Sequence, residues 1–107
     1  MKKLFVSLPM AGLTTEEIRN KMIKYKEKAE HIMGEKLELI DTTIVEAPND
    51  VKNRDVWCLG ESIMMMADAD VVYFGYGWRD ARGCIAESVV AYRYKILRIE
   101  DDPYWDI

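Results

Sequence analysis

Cysteine and histidine are scarce: Cys58, Cys84 and His31 are the only ones in the chain. Two thiols cannot build a disulfide framework, and with a single imidazole they match no zinc spacing. Both are expected as reduced thiols in a cytoplasmic protein, with no metal and no cofactor. Long apolar runs are missing too. The basic start Met1-Lys2-Lys3 leads into only LFVSL before Pro9. A signal peptide is therefore not expected, and no window approaches the roughly 20 apolar residues of a membrane span. Positive charge is not in excess either. A net charge of −4 argues against a nucleic-acid polymer as partner, since phosphate backbones select basic surfaces. It leaves room for a small nucleotide, which needs only a local site. Neither GxxxxGK nor GxGxxG occurs, which removes phosphate-loop kinases and dinucleotide dehydrogenases.

Apolar residues make up 50% of the 107 positions, enough for one domain with its own core and not two. Strand-like and helix-like words alternate. Residues 3–8, KLFVSL, read as a buried strand ended by Pro9. Residues 14–33 read as a helix with Ile18, Met22, Tyr25, Ala29, Ile32 and Met33 on one stripe. Thr14 and Glu17 form a capping box, and Gly34 supplies the stop. Residues 36–45 alternate and are β-branched, so they read as a second strand. A second helix is expected over 55–67, with Val56, Leu59, Ile63 and Met66 on one face. A strand over 71–74, a helix over 82–94 and a strand over 96–99 follow.

Strands separated by helices pair in parallel through right-handed crossovers. The expected fold is a small doubly wound α/β three-layer sandwich, flavodoxin- or Rossmann-like. Its sheet would have four to five mainly parallel strands, with 1–107 as one domain and 101–107 as its tail. In such sheets ligands collect at the carboxyl ends of the strands. Three segments would meet there: residues 7–12, residues 46–49 and the loop 75–83.

That loop enters the third helix as GYGWRDARGCIAES, with Glu87 about a turn and a half inside. The helix N-terminus favours an anion there by about 0.3–1 kcal/mol. A carboxylate so placed is expected to stay ionised while partly shielded, which suits a nucleophile better than a general acid. The plainer alternative is an exposed helix glutamate paired with an arginine. Asp68 and Asp70 are equally suited to turn formation. Asp41 and Asn49 suit loop solvation, His31 a surface position, and Met64, Met65 and Met66 packing.

The phrase ADADVVYF followed by GYGWRDARGCIAESVVA, with KLFVSLPMAG at the start, resembles the nucleoside 2-deoxyribosyltransferase-like superfamily. Its nearest likeness is the DUF4406 branch. The resemblance runs from Lys3 to about Ile99. It implies that a helix glutamate, here Glu87, attacks the anomeric carbon of a 2-deoxynucleoside or its 5′-monophosphate. The base leaves, and the sugar passes to a second base or to water, as in retaining glycoside hydrolysis. By the same resemblance Ser7, Pro9, Met10 and Gly12 would shape the sugar or phosphate side of the pocket. Trp78 would cover a base, Asp80 and Arg82 would belong to the binding loop, and Gly83 would let the backbone come close.

The chain departs from the family's pattern at three places. The helper aspartate expected about eight residues before Asp70 is Ser62, with Glu61 beside it. One residue rotates a helical side chain by about 100°, so Glu61 does not simply replace it. A polar residue before the glutamate is Ala81, and the first glycine of the opening turn is Leu8. Asp70, Glu61 and Ser62 stand as the candidates to assist Glu87. Active relatives are oligomers, which with the apolar tail Pro103-Tyr104-Trp105-Asp106-Ile107 implies a homodimer or larger. The tail is expected to fold back on its own sheet or to dock on a neighbouring subunit. The expected activity is N-glycosidic bond cleavage. A nucleotide-binding module of the same fold, or a packing protein that keeps the fold alone, are the alternatives.

Overall fold

The computed structural model describes residues 1–43 and 46–101. Its elements run β1 (Lys2–Ser7), α1 (Thr15–Met33), β2 (Leu37–Leu39), α2 (Arg54–Met66), β3 (Val71–Phe74), α3 (Arg82–Arg93) and β4 (Leu97–Glu100), with a 3-10 turn at Trp78–Asp80. The architecture is α/β: a four-stranded, all-parallel sheet in the order β2-β1-β3-β4, flanked by three helices.

The order follows from handedness. β1 passes to β2 in one direction, whereas β2 to β3 and β3 to β4 run in the other. Right-handed crossovers then put α1 on one face and α2 and α3 on the opposite face. Packing agrees. Met22, Tyr25 and Ala29 of α1 are buried against Leu4, Val6, Leu37, Val71 and Tyr73. Met66 of α2 and Ala91 of α3 are buried against Phe5, Val72 and Phe74. Strand residues alternate between the two clusters, as a period of two requires.

Helix α1 forms where its pattern predicts. Thr14 accepts from the Glu17 N–H at 3.1 Å, Glu17 accepts from the Thr14 N–H at 3.1 Å, and Gly34 closes the helix. Ile32, however, is exposed rather than on the buried stripe, and Ile18 and Met33 are only partly buried. On α2 the same correction applies to Val56, which faces outward while Met66 is buried. An apolar stripe drifts around a helix because 3.6 residues do not divide its spacing evenly. Met65 packs on the second cluster, but Met64 is exposed.

The largest revision concerns β2, which ends at Leu39. Ile40 still donates to Leu4 O at 2.9 Å. Then the Asp41 carboxylate accepts from the Thr43 N–H at 2.9 Å, a local bond that competes with the sheet ladder. Ile44 and Val45, expected in this strand, lie outside the described residues. β1 begins and ends one residue earlier than expected, and β4 one residue later.

Asp101, just past β4, is buried. It accepts from the Tyr73 hydroxyl, pairs with Lys28 of α1 at 3.4 Å and donates its N–H to Phe74 O at 2.8 Å. Strand β4 is thereby fastened to the α1 side. The tail expected over 101–107 lies outside the described residues beyond Asp101. No helix among the described residues is long and apolar enough to cross a membrane.

Candidate functional site

The strand order reverses between β1 and β3, so the crevice of this sheet lies at the carboxyl ends of those two strands. Ser7 ends β1 and is in register with Phe74, which ends β3. Gly75 extends the pairing by donating to Ser7 O at 2.8 Å. A Cβ on Gly75 would lie 2.7 Å from Tyr25 Cε2 and 3.1 Å from Leu8 Cβ. Only glycine lets the chain leave the sheet this close to α1. Gly77 then takes a left-handed φ of 83°, and the turn Trp78–Asp80 delivers the chain to α3.

Glu87 points into this junction. It is 7% exposed, which removes the reading of a solvated surface glutamate. The Ser7 hydroxyl donates to Glu87 Oε1 at 2.8 Å. Ser62, on α2, lies close enough for its hydroxyl to pull the pKa of the carboxylate down. Burial nevertheless raises the pKa of Glu87, and the two serines only moderate that rise. Burial thus works against the helix N-terminus, which was expected to favour the ionised form. Desolvation of the charged form outweighs a dipole effect that fades beyond the first turn.

Cys84 completes the cluster and was not anticipated there. It lies three residues before Glu87 on the face that also carries Ala91, and all three are buried. The spacing of three and seven residues was the available signal. Burial first, and the neighbouring Glu87 second, push the Cys84 thiol up to about 11, against a hydrogen bond with Ser7. It is a protonated, inert thiol at neutral pH.

Above this floor the gap between α2 and α3 opens into a cavity of about 330 Å³, lined by Asn53, Asp55, Val56, Cys58, Leu59, Arg82 and Gly83. Ser62 is three residues past Leu59 and Glu87 four past Gly83. Ser62 and Glu87 thus stand one helical turn further along α2 and α3 and do not themselves line the cavity. Its rim is held by Arg82 on Asp55 at 2.6 Å. Ala81 offers α3 no side-chain cap, so the first N–H groups of that helix face the opening without one. A Cβ on Gly83 would meet nothing within 4 Å, which leaves the backbone there open to approach.

The remaining expected residues divide. Pro9 sits beside the turn, its Cγ 3.5 Å from where a Gly77 Cβ would be. Met10 and Gly12 are exposed on the loop after β1, and Asp80 is exposed in the turn. Trp78 is not an open platform. Its ring packs on Phe74 at 5.1 Å, and the Arg79 guanidinium covers it at 4.7 Å. Stacking on a base would require Arg79 to move.

Glu61 is next to Ser62 in sequence, but it is Ser62 whose hydroxyl influences Glu87. Asp70 belongs to the opposite end of the sheet. Its carboxylate accepts from the Lys3 N–H at 2.7 Å, and its N–H donates to Lys3 O at 2.9 Å. Four residues of β3 separate it from the crevice, about 13 Å at the usual rise. Asp70 is therefore a strand-entry residue and does not reach Glu87. Asp41 and Asn49 are exposed and bonded to Thr43 and Arg54 respectively.

A larger hollow of about 630 Å³ lies on the other face, lined by Lys24, Lys28, His31, Ile32, Tyr73 and Asp101 among others. It is separated from Glu87 by the sheet, so size alone does not mark the site. Among the described residues no cluster of three His, Cys, Asp or Glu side chains could hold a metal ion. No family model matches the chain, and neither a curated protein nor a solved structure matches it.

Proposed function

We propose that this chain cleaves the N-glycosidic bond of a 2-deoxynucleoside or its 5′-monophosphate, with Glu87 as nucleophile. The observation that carries the reading is a buried carboxylate at the switch point of a parallel sheet. It accepts from the Ser7 hydroxyl, has Ser62 beside it, and stands one helical turn along α3 from a cavity at the N-terminal ends of α2 and α3. The resemblance of the GYGWRDARGCIAES phrase to the deoxyribosyltransferase-like superfamily supplies the substrate class.

In this reading one Glu87 oxygen bonds to the anomeric carbon as the C–N bond breaks. The base leaves with the electron pair and takes up a proton. Water, or a second base, then attacks the same carbon and frees the carboxylate. The Ser7 hydroxyl fixes the direction of the carboxylate, which places it for attack. The open first turn of α3 with Arg82 suits a 5′-phosphate at the rim. Ionised Glu87 is the reactive form, so activity should rise with pH along a limb set by its raised pKa.

A second reading has its own support. A carboxyl that keeps its proton to higher pH, with a serine where active relatives carry an aspartate, suits a module that binds a nucleotide and leaves it intact. Free base measured by chromatography, from a panel of deoxynucleosides and their monophosphates, separates the two. Catalysis predicts release that falls by at least about a thousandfold in Glu87→Ala. Binding without release from any substrate would sink the enzyme reading.

A further inference from the structure

Among the described residues, α1 is the only helix on its face of the sheet. It packs on side chains of β2, β1 and β3, and edge strand β4 joins that cluster only through the partly buried Ile99. The hollow of about 630 Å³ lies where this cover runs out, between α1 and the end of β4. Small-molecule sites commonly enclose about 300–1,000 Å³.

Asp101 forms part of the wall of this hollow, and its side chain is only 1% exposed. The Tyr73 hydroxyl and the Lys28 ammonium both donate to Oδ1, while Oδ2 has no partner. Thr42 Oγ1, Trp78 Nε1 and Arg98 Nε are also buried without a partner. Among these four atoms, Asp101 Oδ2 is the only carboxylate oxygen. A buried carboxylate oxygen without a donor is costlier than a neutral group in the same position. The neighbouring Glu100 is already engaged by Arg79 and by Arg98, at 3.0 Å each. The opposite wall is α1, which brings Lys24, Lys28 and His31 to the hollow at spacings of four and three, with Glu27 among them. The Tyr73 ring and Ile32 add apolar surface.

We propose that this hollow binds a free α-amino acid with a large apolar side chain. Its ammonium donates to Asp101 Oδ2, its carboxylate lies toward the basic residues of α1, and its side chain rests on Tyr73 and Ile32. An amine alone would set its charge against Lys24 and Lys28. A carboxylate alone would leave Asp101 Oδ2 without a donor. The zwitterion matches both walls and brings no net charge. The sheet stands between this site and Glu87, so the proposal does not rest on the glycosidic reading.

Isothermal titration calorimetry on the full chain tests this, with L-phenylalanine, L-tyrosine, L-tryptophan and L-leucine as probes at millimolar concentration. At least one of them should bind. Removing its ammonium (3-phenylpropionate in place of L-phenylalanine) or its carboxylate (phenethylamine) should each weaken binding by about tenfold or more. Amide shifts on titration should gather at residues 24–32, Tyr73 and Asp101 and leave Gly83 and Glu87 unmoved. Asp101→Asn should weaken the amino acid by about tenfold and leave the analogue without an ammonium unaffected, which separates a lost contact from a lost fold. No binding by any of the four probes, an analogue that binds as tightly as its parent, or shifts gathered at Gly83 and Glu87 would each overturn the proposal. If Asp101→Asn does not fold, the analogue series and the shift map on the wild type decide.

Discussion

The two faces of the sheet are built on different terms. Helix α1 is capped at both ends, buries Met22, Tyr25 and Ala29 and turns lysines and glutamates outward. Helices α2 and α3 leave Val56, Met64, Ile85, Val89 and Tyr92 exposed. There α3 starts without a side-chain cap and a glutamate is buried. Glu30 of α1 and Glu87 of α3 shift in opposite directions. On α1, the Leu37 N–H and then Lys26 hold Glu30 below its ordinary pKa, whereas burial raises Glu87. The α1 face follows most of the rules that stabilise a fold, its buried carboxylate, Asp101, being paired with Lys28. The other breaks several of them around a single crevice, which is where functional sites concentrate strain and unsatisfied groups.

The comparison can be broken most forcefully in the core. Met22→Ala, under α1, should cost about 2–5 kcal/mol. Met64→Ala, on the outer face of α2, should stay within about 0.5 kcal/mol in dilute solution. Denaturant unfolding of both variants reads the difference, and equal losses would erase the contrast. Gly75→Ala comes next. Its new methyl would collide with the Tyr25 ring, and about 1–3 kcal/mol should be lost. Because Gly75 also sets the exit of the chain beside Ser7, base release should fall with it.

A smaller effect is expected at the α1 cap, where Thr14→Ala should cost about 1 kcal/mol. No equivalent loss exists to be made at Ala81, since it caps nothing.

The pH dependence sharpens the contrast by slope. Folded Glu87 holds its proton above the ordinary value of 4.5, so over that window the folded state binds more protons than the unfolded chain. Its contribution to stability is full below that value and is lost as pH rises through the folded pKa. Glu87→Gln should remove this slope, and thermal melts from pH 4 to 8 would show the variant gaining on the wild type as pH rises. Glu30 runs the other way, its contribution being present above its unfolded pKa and lost as pH falls through the lowered value. A Glu87→Gln variant that lost stability relative to the wild type with rising pH would contradict the burial argument.

Much of the scaffold was legible in the residues. The Thr14 and Glu17 pair, the α1 stripe and the VVYF strand are local signals, and local physics decides them. Alternation of strands and helices carried the parallel sheet, because crossovers leave few topologies. The errors lie where tertiary context decides. Asp41 and Thr43 ended β2 through a local hydrogen bond that β-branched patterning does not reveal. Val56 and Ile32 fell outside because a stripe read by spacing has blurred edges.

At the site, Glu87, Ser7 and Ser62 were marked in advance, although Ser62 was marked as a departure from a pattern. The structure places it near enough to Glu87 to lower the pKa of that carboxyl. Asp70 could have been excluded from the crevice by its place alone, since a residue that begins a parallel strand sits at the end away from the ligand. Cys84 needed the face of α3 to be drawn. The raised pKa of Glu87 needed its burial, which no sequence pattern states.

The most direct test of the central claim is the mass of the protein itself. The chain would be mixed with a deoxynucleoside 5′-monophosphate, quenched in acid within seconds, and its intact mass and peptide map recorded. The account predicts a deoxyribosyl adduct on Glu87, absent from Glu87→Gln and discharged when water or a second base is given time to react. Base release with no adduct on Glu87, or an adduct on another residue, would contradict it.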